Sequence, residues 1–380
     1  MADVSYAKGL EGVIAAESRI CRIDGENGKL YYLGYSISDL VEFCTFEEVT
    51  YLLLYGELPN KEQLVVFSAK MRNARELPQP VLNMIRDFPE NAHPMELLQS
   101  VISYISSYVE HKIHHGPHCN CRDTLHQLSQ IASTIAAFYR FREGKEYVHP
   151  RKDLSHGANF LYMLRGEEPD PEEGEIMDKA LILHAEHSFN ASTFTGRVVA
   201  STMSTCYCSI SAAIGALYGS LHGGANEKVM DMVDEIGGKE KAREWVSNAL
   251  DRKQKVMGMG HRVYRAKDPR SIIMEEFLKQ LSEKKQDFAY YDTLKEVENA
   301  FRERMEEKGK PIYPNVDFFS GAVYRLLGIP TVLFTPIFAM ARASGWLSHI
   351  LEQRSDNRIF RPKALYVGDE QRRMVPIEER

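Results

Sequence analysis

No block of lysine and arginine occurs in this chain, and basic side chains are not interleaved with aromatics. Its 47 basic residues are outnumbered by 53 acidic ones, for a net charge of −6. Nucleic-acid binding draws much of its affinity from phosphate neutralisation, so this balance argues against such a partner. The opening MADVSYAKGLEG has no cationic stretch followed by an apolar one, so no secretory leader is expected. Cysteine is scarce as well, with six residues at positions 21, 44, 119, 121, 206 and 208. The close pairs have one residue between them, unlike the two-residue gap common in zinc and redox motifs. Free thiols in a reducing cytoplasm are therefore expected. Long runs of large aliphatic residues are missing too. Val198 to Leu221 is uncharged for 24 residues, long enough to span a bilayer, but it is mostly Ser, Thr, Gly, Ala and Cys. We read it as a buried helix whose small side chains let neighbouring helices approach closely.

With an apolar fraction of 44%, the chain can bury a sizeable core. Helix signals dominate what fills it. Thr45-Phe46-Glu47-Glu48 is a capping box ahead of VTYLLLY, and Leu58-Pro59-Asn60 is read as its stop. Asn60 with Gln63 opens the next helix. Pro78 and Pro80 punctuate again, and His93-Pro94 precedes the one-faced pattern MELLQSVISYISSYV. DTLHQLSQIASTIAAFYRFREG and PEEGEIMDKALILHAEH continue in the same way. Strand signals are few, the clearest being a hairpin over residues 19 to 35 around GENG. The fold class is all-α with a minor N-terminal β element.

Past Gly219 the texture changes to helices alternating with charged or Gly-rich loops, and three of these carry candidate chemistry. The first is KVMGMGHRVYRAKDPR, residues 255 to 270. Asp268-Pro269 reads as N-cap and first helical residue, which places Arg270 in a first turn that favours an anion. Gly258 and Gly260 let backbone approach a ligand, and His261 sits at the lip of the cleft. The second is LHGGANE, where His222 follows the small-residue segment and is expected to be held neutral as a hydrogen-bond donor. The third is PNVDFFSG, where Asp317 lies among Val316, Phe318 and Phe319. A carboxylate among apolar neighbours is desolvated and becomes a better base. Each loop also has a plainer reading: a solvated surface loop, a core histidine and a helix cap.

Taken together, LHGGANE, GHRVYRAKDPR and PNVDFFSG resemble the three catalytic loops of citrate synthases. LHAEHSFNASTFTGRVVAST is similar to the family's oxaloacetate segment. LFTPIFAMARASGWLSHILEQ and NRIFRPKALYVG extend the likeness from about residue 9 to the C-terminus. The resemblance implies an all-α, two-domain homodimer, with residues 1–221 plus 323–380 as the large domain and 222–322 as a small domain that closes over the site. It places Val198 to Leu221 near the dimer interface. It also implies Asp317 as base, His222 as stabiliser of the enol oxygen and His261 as acid to the ketone. His187, Arg270, Arg342 and Arg361 would bind oxaloacetate, with Arg361 reaching into the partner's site. Val256, Met257, Gly258, Met259, Gly260 and Arg265 would meet CoA. Acetyl-CoA is a co-substrate, and no metal or other cofactor is expected. A 2-methylcitrate synthase using propionyl-CoA is the alternative reading. The Asn-Val-Asp-Phe-Phe-Ser-Gly form of the third loop favours citrate synthases over it. An inactive CoA-binding paralogue would be expected to lose one of His222, His261 or Asp317, and all three are present. Since the chain starts almost at the shared core, a dimer without NADH control is expected. HKIHHGPHCNCRDTLH does not fit the family pattern. Its His111, His114, His115, His118, Cys119, Cys121 and His126 show no familiar metal spacing, so a solvated loop is expected.

Overall fold

The computed structural model of the chain describes residues 6–108 and 125–380. Three short strands come first: β1 (Cys21–Asp24), β2 (Lys29–Tyr32) and β3 (Tyr35–Ser36), an antiparallel sheet in chain order. β1 and β2 form the expected hairpin, with Cys21 opposite Tyr32 and Asp24 opposite Lys29. The third strand adds Tyr31 opposite Ser36. The helices before the expected break are α1 (Ile37–Phe43), α2 (Phe46–Tyr55), α3 (Lys61–Asn73), α4 (Gln79–Arg86), α5 (Pro94–Ile105), α6 (Leu125–Arg142), α7 (His156–Arg165), α8 (Pro171–His184), α9 (Ala191–Ser201) and α10 (Cys206–Tyr218). Beyond them lie α11 (Ala225–Ile236), α12 (Lys239–Asp251), α13 (Pro269–Lys285), α14 (Ala289–Glu306), α15 (Asp317–Leu326) and α16 (Phe334–Ser355).

The local signals act as their chemistry requires. Thr45 and Glu48 complete a capping box on α2, as do Asn60 and Gln63 on α3. The end of α2 differs from expectation: Gly56, at φ 88°, caps it in the left-handed region, three residues before Pro59. A second difference concerns Val198 to Leu221. This segment is not one helix. α9 ends at Ser201, Met203 turns through a φ of 63°, and Thr205 caps a new helix, α10. The two helices pack on each other, and among the described residues no helix is long and apolar enough to cross a membrane. The third difference is chemical. Cys206 is disulfide-bonded, whereas Cys21, Cys44 and Cys208 are free thiols. Of the seven His and Cys side chains in 111–126, only His126 falls among the described residues, exposed on α6, and the other six lie outside them.

α16 organises the packing. Its middle is buried all round, including Trp346, Leu347 and Ile350, and it contacts α2, α5, α6, α8, α9, α10 and α11. Each large apolar side chain buried there contributes about 1.5–3 kcal/mol. α11 to α15 pack chiefly on one another, around Phe318, Phe319, Met274 and Leu278. The three loops of interest lie at the ends of these two sets of helices.

Candidate active site

His261 lies in the loop between α12 and α13, and its tautomer follows from its neighbours. The backbone N–H groups of Val263 and Tyr264 both donate to Nδ1, at 3.0 and 3.2 Å. Nδ1 is therefore an acceptor, and a neutral ring carries its proton on Nε2. Burial, and then the nearby Arg270 charge, push the pKa down to about 4, so the ring is neutral at physiological pH. His261 is thus built as a neutral Nε2–H donor.

His222 sits in the turn after α10 with the opposite arrangement. The backbone N–H of Ser192 donates to His222 Nε2 at 3.2 Å, and the Ser192 hydroxyl lies 2.8 Å from the same nitrogen. This pattern assigns the proton of the neutral ring to Nδ1. Trp346 Nε1 donates to Ser192 Oγ at 3.1 Å and holds the serine in place from α16. Burial, with Arg342 second, lowers the His222 pKa to about 4.

Asp317 is the first residue of α15, but Val316 is the N-cap and no side chain caps this helix start, so the helix-cap reading fails and the desolvated-base reading describes it. Its N–H is bonded to Asn315 Oδ1 at 3.0 Å. Desolvation raises its carboxyl to a pKa of about 6 despite the opposing pull of Arg270 and Arg342. Phe318 and Phe319 beside it are completely buried.

The His261 and Asp317 loops are joined. Met259 and Pro314 form an isolated antiparallel bridge, Gly260 N–H donates to Tyr313 O at 2.8 Å, and Asn315 N–H donates to Gly258 O at 2.9 Å. This contact explains Gly258 differently from the sequence reading. At φ 75°, a Cβ on Gly258 would stand 2.9 Å from Phe318 Cα and from Val229 Cγ2. The glycine is needed for packing on α15, whatever it offers a ligand. Gly25, in the N-terminal hairpin, supports the same loop from the other side by accepting from Arg265 N–H at 2.9 Å.

His187 completes the cluster. Its ring lies 5.2 Å from that of His261, and its Nε2 is 3.3 Å from the Tyr264 hydroxyl. Burial first, then Arg270, Arg342 and His261, hold its pKa well below the usual histidine range. Arg342 is buried in α16, its Nε donating to His184 O at 2.7 Å. Arg270 is also buried, but its guanidinium is engaged by its own N-cap: Nε and Nη2 donate to Asp268 at 3.0 and 2.7 Å. The anion-favouring helix start thus already holds a carboxylate.

Arg270 and Arg342 act electrostatically on both His187 and Asp317. Val256, Met257 and Met259 lead into this cluster, while the Arg265 side chain is exposed beside it. Arg361 is elsewhere. It is exposed on the C-terminal segment and lines a cavity of about 1090 Å³ with residues of the N-terminal segment, Phe194 and Arg197. Sequence reading missed Ser192 and Tyr264, which touch the His222, His187 and His261 side chains, and Asn315, which bonds the backbone of Gly260 and Asp317. Two of the three are short polar residues at a helix start, where capping is the usual explanation.

Comparison with known proteins places the whole chain among similar sequences and folds. A family model described as "Citrate synthase, C-terminal domain" matches residues 9–363. A citrate synthase of Deinococcus radiodurans is 44% identical, with 99% of each chain covered. A 2-methylcitrate synthase of Shewanella oneidensis is 41% identical over 98% of this chain and 97% of its own. A solved structure from Thermoplasma acidophilum, a ternary complex of citrate synthase with carboxymethyl coenzyme A and oxaloacetate, superposes with a TM-score of 0.91. It has 34% identity and covers 99% of this chain and all of its own.

Proposed function

Because the chain belongs to the citrate synthase family, we propose that it condenses acetyl-CoA with oxaloacetate and hydrolyses the citryl thioester to citrate and CoA. The observation that carries this reading is the pair of neutral imidazoles with protons on opposite ring nitrogens, together with a carboxylate of raised pKa on the loop that bridges to the His261 loop.

Asp317 takes a proton from the acetyl methyl group. An ordinary aspartate, with a pKa near ~3.9, is far too weak a base for this unaided. Its raised pKa helps, and His222 Nδ1–H stabilises the enol oxygen as it forms. The nucleophilic carbon then attacks the oxaloacetate ketone while His261 donates its Nε2 proton to the ketone oxygen. Neutral imidazoles suit both tasks, because each gives a hydrogen bond without leaving an uncompensated buried cation. Water then cleaves the thioester, releasing CoA. His187, Arg270 and Arg342 bind the oxaloacetate carboxylates, with Arg361 supplied by the partner in a homodimer. Arg265 and the Val256 to Gly260 backbone bind CoA. Residues 222–322 form the small domain, which closes on the remainder and keeps water out until condensation is complete. The protein donors perform the electrophilic work, so acetyl-CoA is the only cofactor-like molecule invoked. No nucleic acid or membrane takes part, and the reaction is placed in the cytoplasm.

Relatives of both names match at similar identity, so the acyl group is the open specificity. One methylene supplies only about 1–3 kcal/mol of discrimination. The test follows thioester absorbance at fixed oxaloacetate with acetyl-CoA and propionyl-CoA in parallel. Preference for acetyl-CoA is expected. Equal or better use of propionyl-CoA would transfer the assignment to 2-methylcitrate synthesis, and turnover of neither would refute both.

A further inference from the structure

A line of buried polar side chains leads away from His187 on a path the reaction scheme does not use. Glu186 and His349 are completely buried and Arg197 is 3% exposed. Glu186 Oε1 lies 3.0 Å from His349 Nε2, and His349 Nδ1 lies 3.1 Å from Arg197 Nη1. A guanidinium only donates, so Nδ1 is the acceptor and Nε2 carries the proton toward Glu186. Arg197 pairs with Glu352 at 2.7 Å and donates through Nε to Gln353 at 3.2 Å. Phe189 closes the line off from solvent, with the Arg197 guanidinium 4.6 Å from its ring centroid and the His349 ring edge-on at 5.3 Å.

Both ends of this line reach substrate-binding elements. At one end the Ser188 N–H donates to the same Glu186 oxygen at 2.5 Å. Ser188 has a φ of 55°, a left-handed turn that a serine adopts only when held, and it directly follows His187. At the other end Gln353 Nε2 donates to Asn357 Oδ1 and Arg358 O, at 3.2 and 3.3 Å. Asn357 Nδ2 and Phe360 N–H in turn bond Ser201, at 2.9 and 3.1 Å. Arg361 is the next residue.

We propose that His349 is a positioning residue for oxaloacetate binding: through Glu186 it holds the turn that presents His187, and through Arg197 and Gln353 it holds the segment that carries Arg361. The inference rests on the proposed function for the identity of the anion. His349 itself lies beneath Phe189 and acts only through these neighbours.

The test uses the full chain and reads oxaloacetate binding by calorimetry, independently of turnover, beside KM for each substrate. His349→Leu is expected to weaken oxaloacetate binding tenfold or more while KM for acetyl-CoA stays within twofold. His349→Gln, which keeps an acceptor and a donor, is expected to restore binding to within threefold of wild type. In a background lacking both His187 and Arg361 (His187→Ala with Arg361→Ala), His349→Leu should add less than twofold. Unchanged oxaloacetate affinity in folded His349→Leu, or an equal rise in both KM values, would overturn the proposal. If the leucine variant does not fold, Glu186→Gln serves instead, with at least threefold weaker oxaloacetate binding expected and wild-type binding counting against the idea. Wild-type protein that binds oxaloacetate but turns over neither acyl-CoA would refute the proposed reaction and leave the positioning test standing.

Discussion

Asn315 Nδ2 donates to Gly260 O at 2.9 Å, while Asn315 Oδ1 accepts the N–H of Asp317 at 3.0 Å. One amide therefore sets both the residue preceding His261 and the start of the helix that carries the carboxylate. Asn315→Ala should lower kcat on the order of 10- to 100-fold, the scale of losses from small misplacements of reacting groups. Steady-state kinetics with both substrates would check this, and an unchanged kcat would show that the two loops hold their places without the amide.

The raised pKa of Asp317 predicts the acid side of the pH profile. With Asp317 as the proposed base, which must be ionised to act, kcat/KM for acetyl-CoA should fall as pH drops through about 6. His222 and His261 lose their second, imidazolium protons near 4 and stay neutral donors above it, so they add no second limb between about 5 and 8. A profile flat down to pH 5 would contradict this.

Asp317→Asn should nearly abolish turnover, keep oxaloacetate binding and change the pH dependence of stability. A folded-state pKa raised from 3.8 to about 6 means that the fold disfavours the ionised form. That penalty is absent below the unfolded pKa, grows between about 4 and 6, and is complete above. The Asn variant should therefore be more stable at pH 8, on the order of 1–3 kcal/mol, with no advantage at pH 4. Thermal melts at the two pH values test the sign.

Ser192→Ala removes the hydroxyl beside His222 Nε2 and leaves Trp346 Nε1 without its acceptor. A lost hydrogen bond of about 1–2 kcal/mol corresponds to roughly a 10-fold decrease in kcat. The acetyl-CoA dependence should carry most of the defect. A loss confined to KM for oxaloacetate would separate Ser192 from His222.

Gly258→Ala should destabilise the protein by about 2 kcal/mol or more, because it combines a left-handed φ with a Cβ 2.9 Å from Phe318 Cα. A thermal melt of the variant without ligands decides whether this glycine is there for packing. An unchanged melt with a weakened acetyl-CoA KM would return it to the ligand-facing role read from the sequence.

Much of the architecture could be read locally. The Thr45–Glu48 and Asn60–Gln63 caps, the Asp268-Pro269 helix start and the hairpin near GENG depend on contacts within a few residues, and each is found. The misread positions share a different property. Met203, with a φ of 63°, splits Val198 to Leu221 into two helices, although no glycine or proline stands at the break. Cys206 is paired where free thiols were expected, since composition says nothing about which thiols meet.

The sequence by itself determined the helical class, the helix starts marked by a cap or a proline, and the identity of the groups able to do chemistry, because side-chain type and short-range spacing are properties of the chain. Tertiary structure decided which nitrogen of His222 carries the proton, whereas the local turn after His261 decides it there. His261 is set by two backbone N–H groups that its own loop turns toward it, and His222 by Ser192, thirty residues away and held by Trp346. Tertiary structure likewise decided that Asp317 is desolvated and that Glu186 meets His349 across 163 residues. Desolvation and buried pairing depend on what packs around a group, and that surrounding comes into being only when distant segments meet.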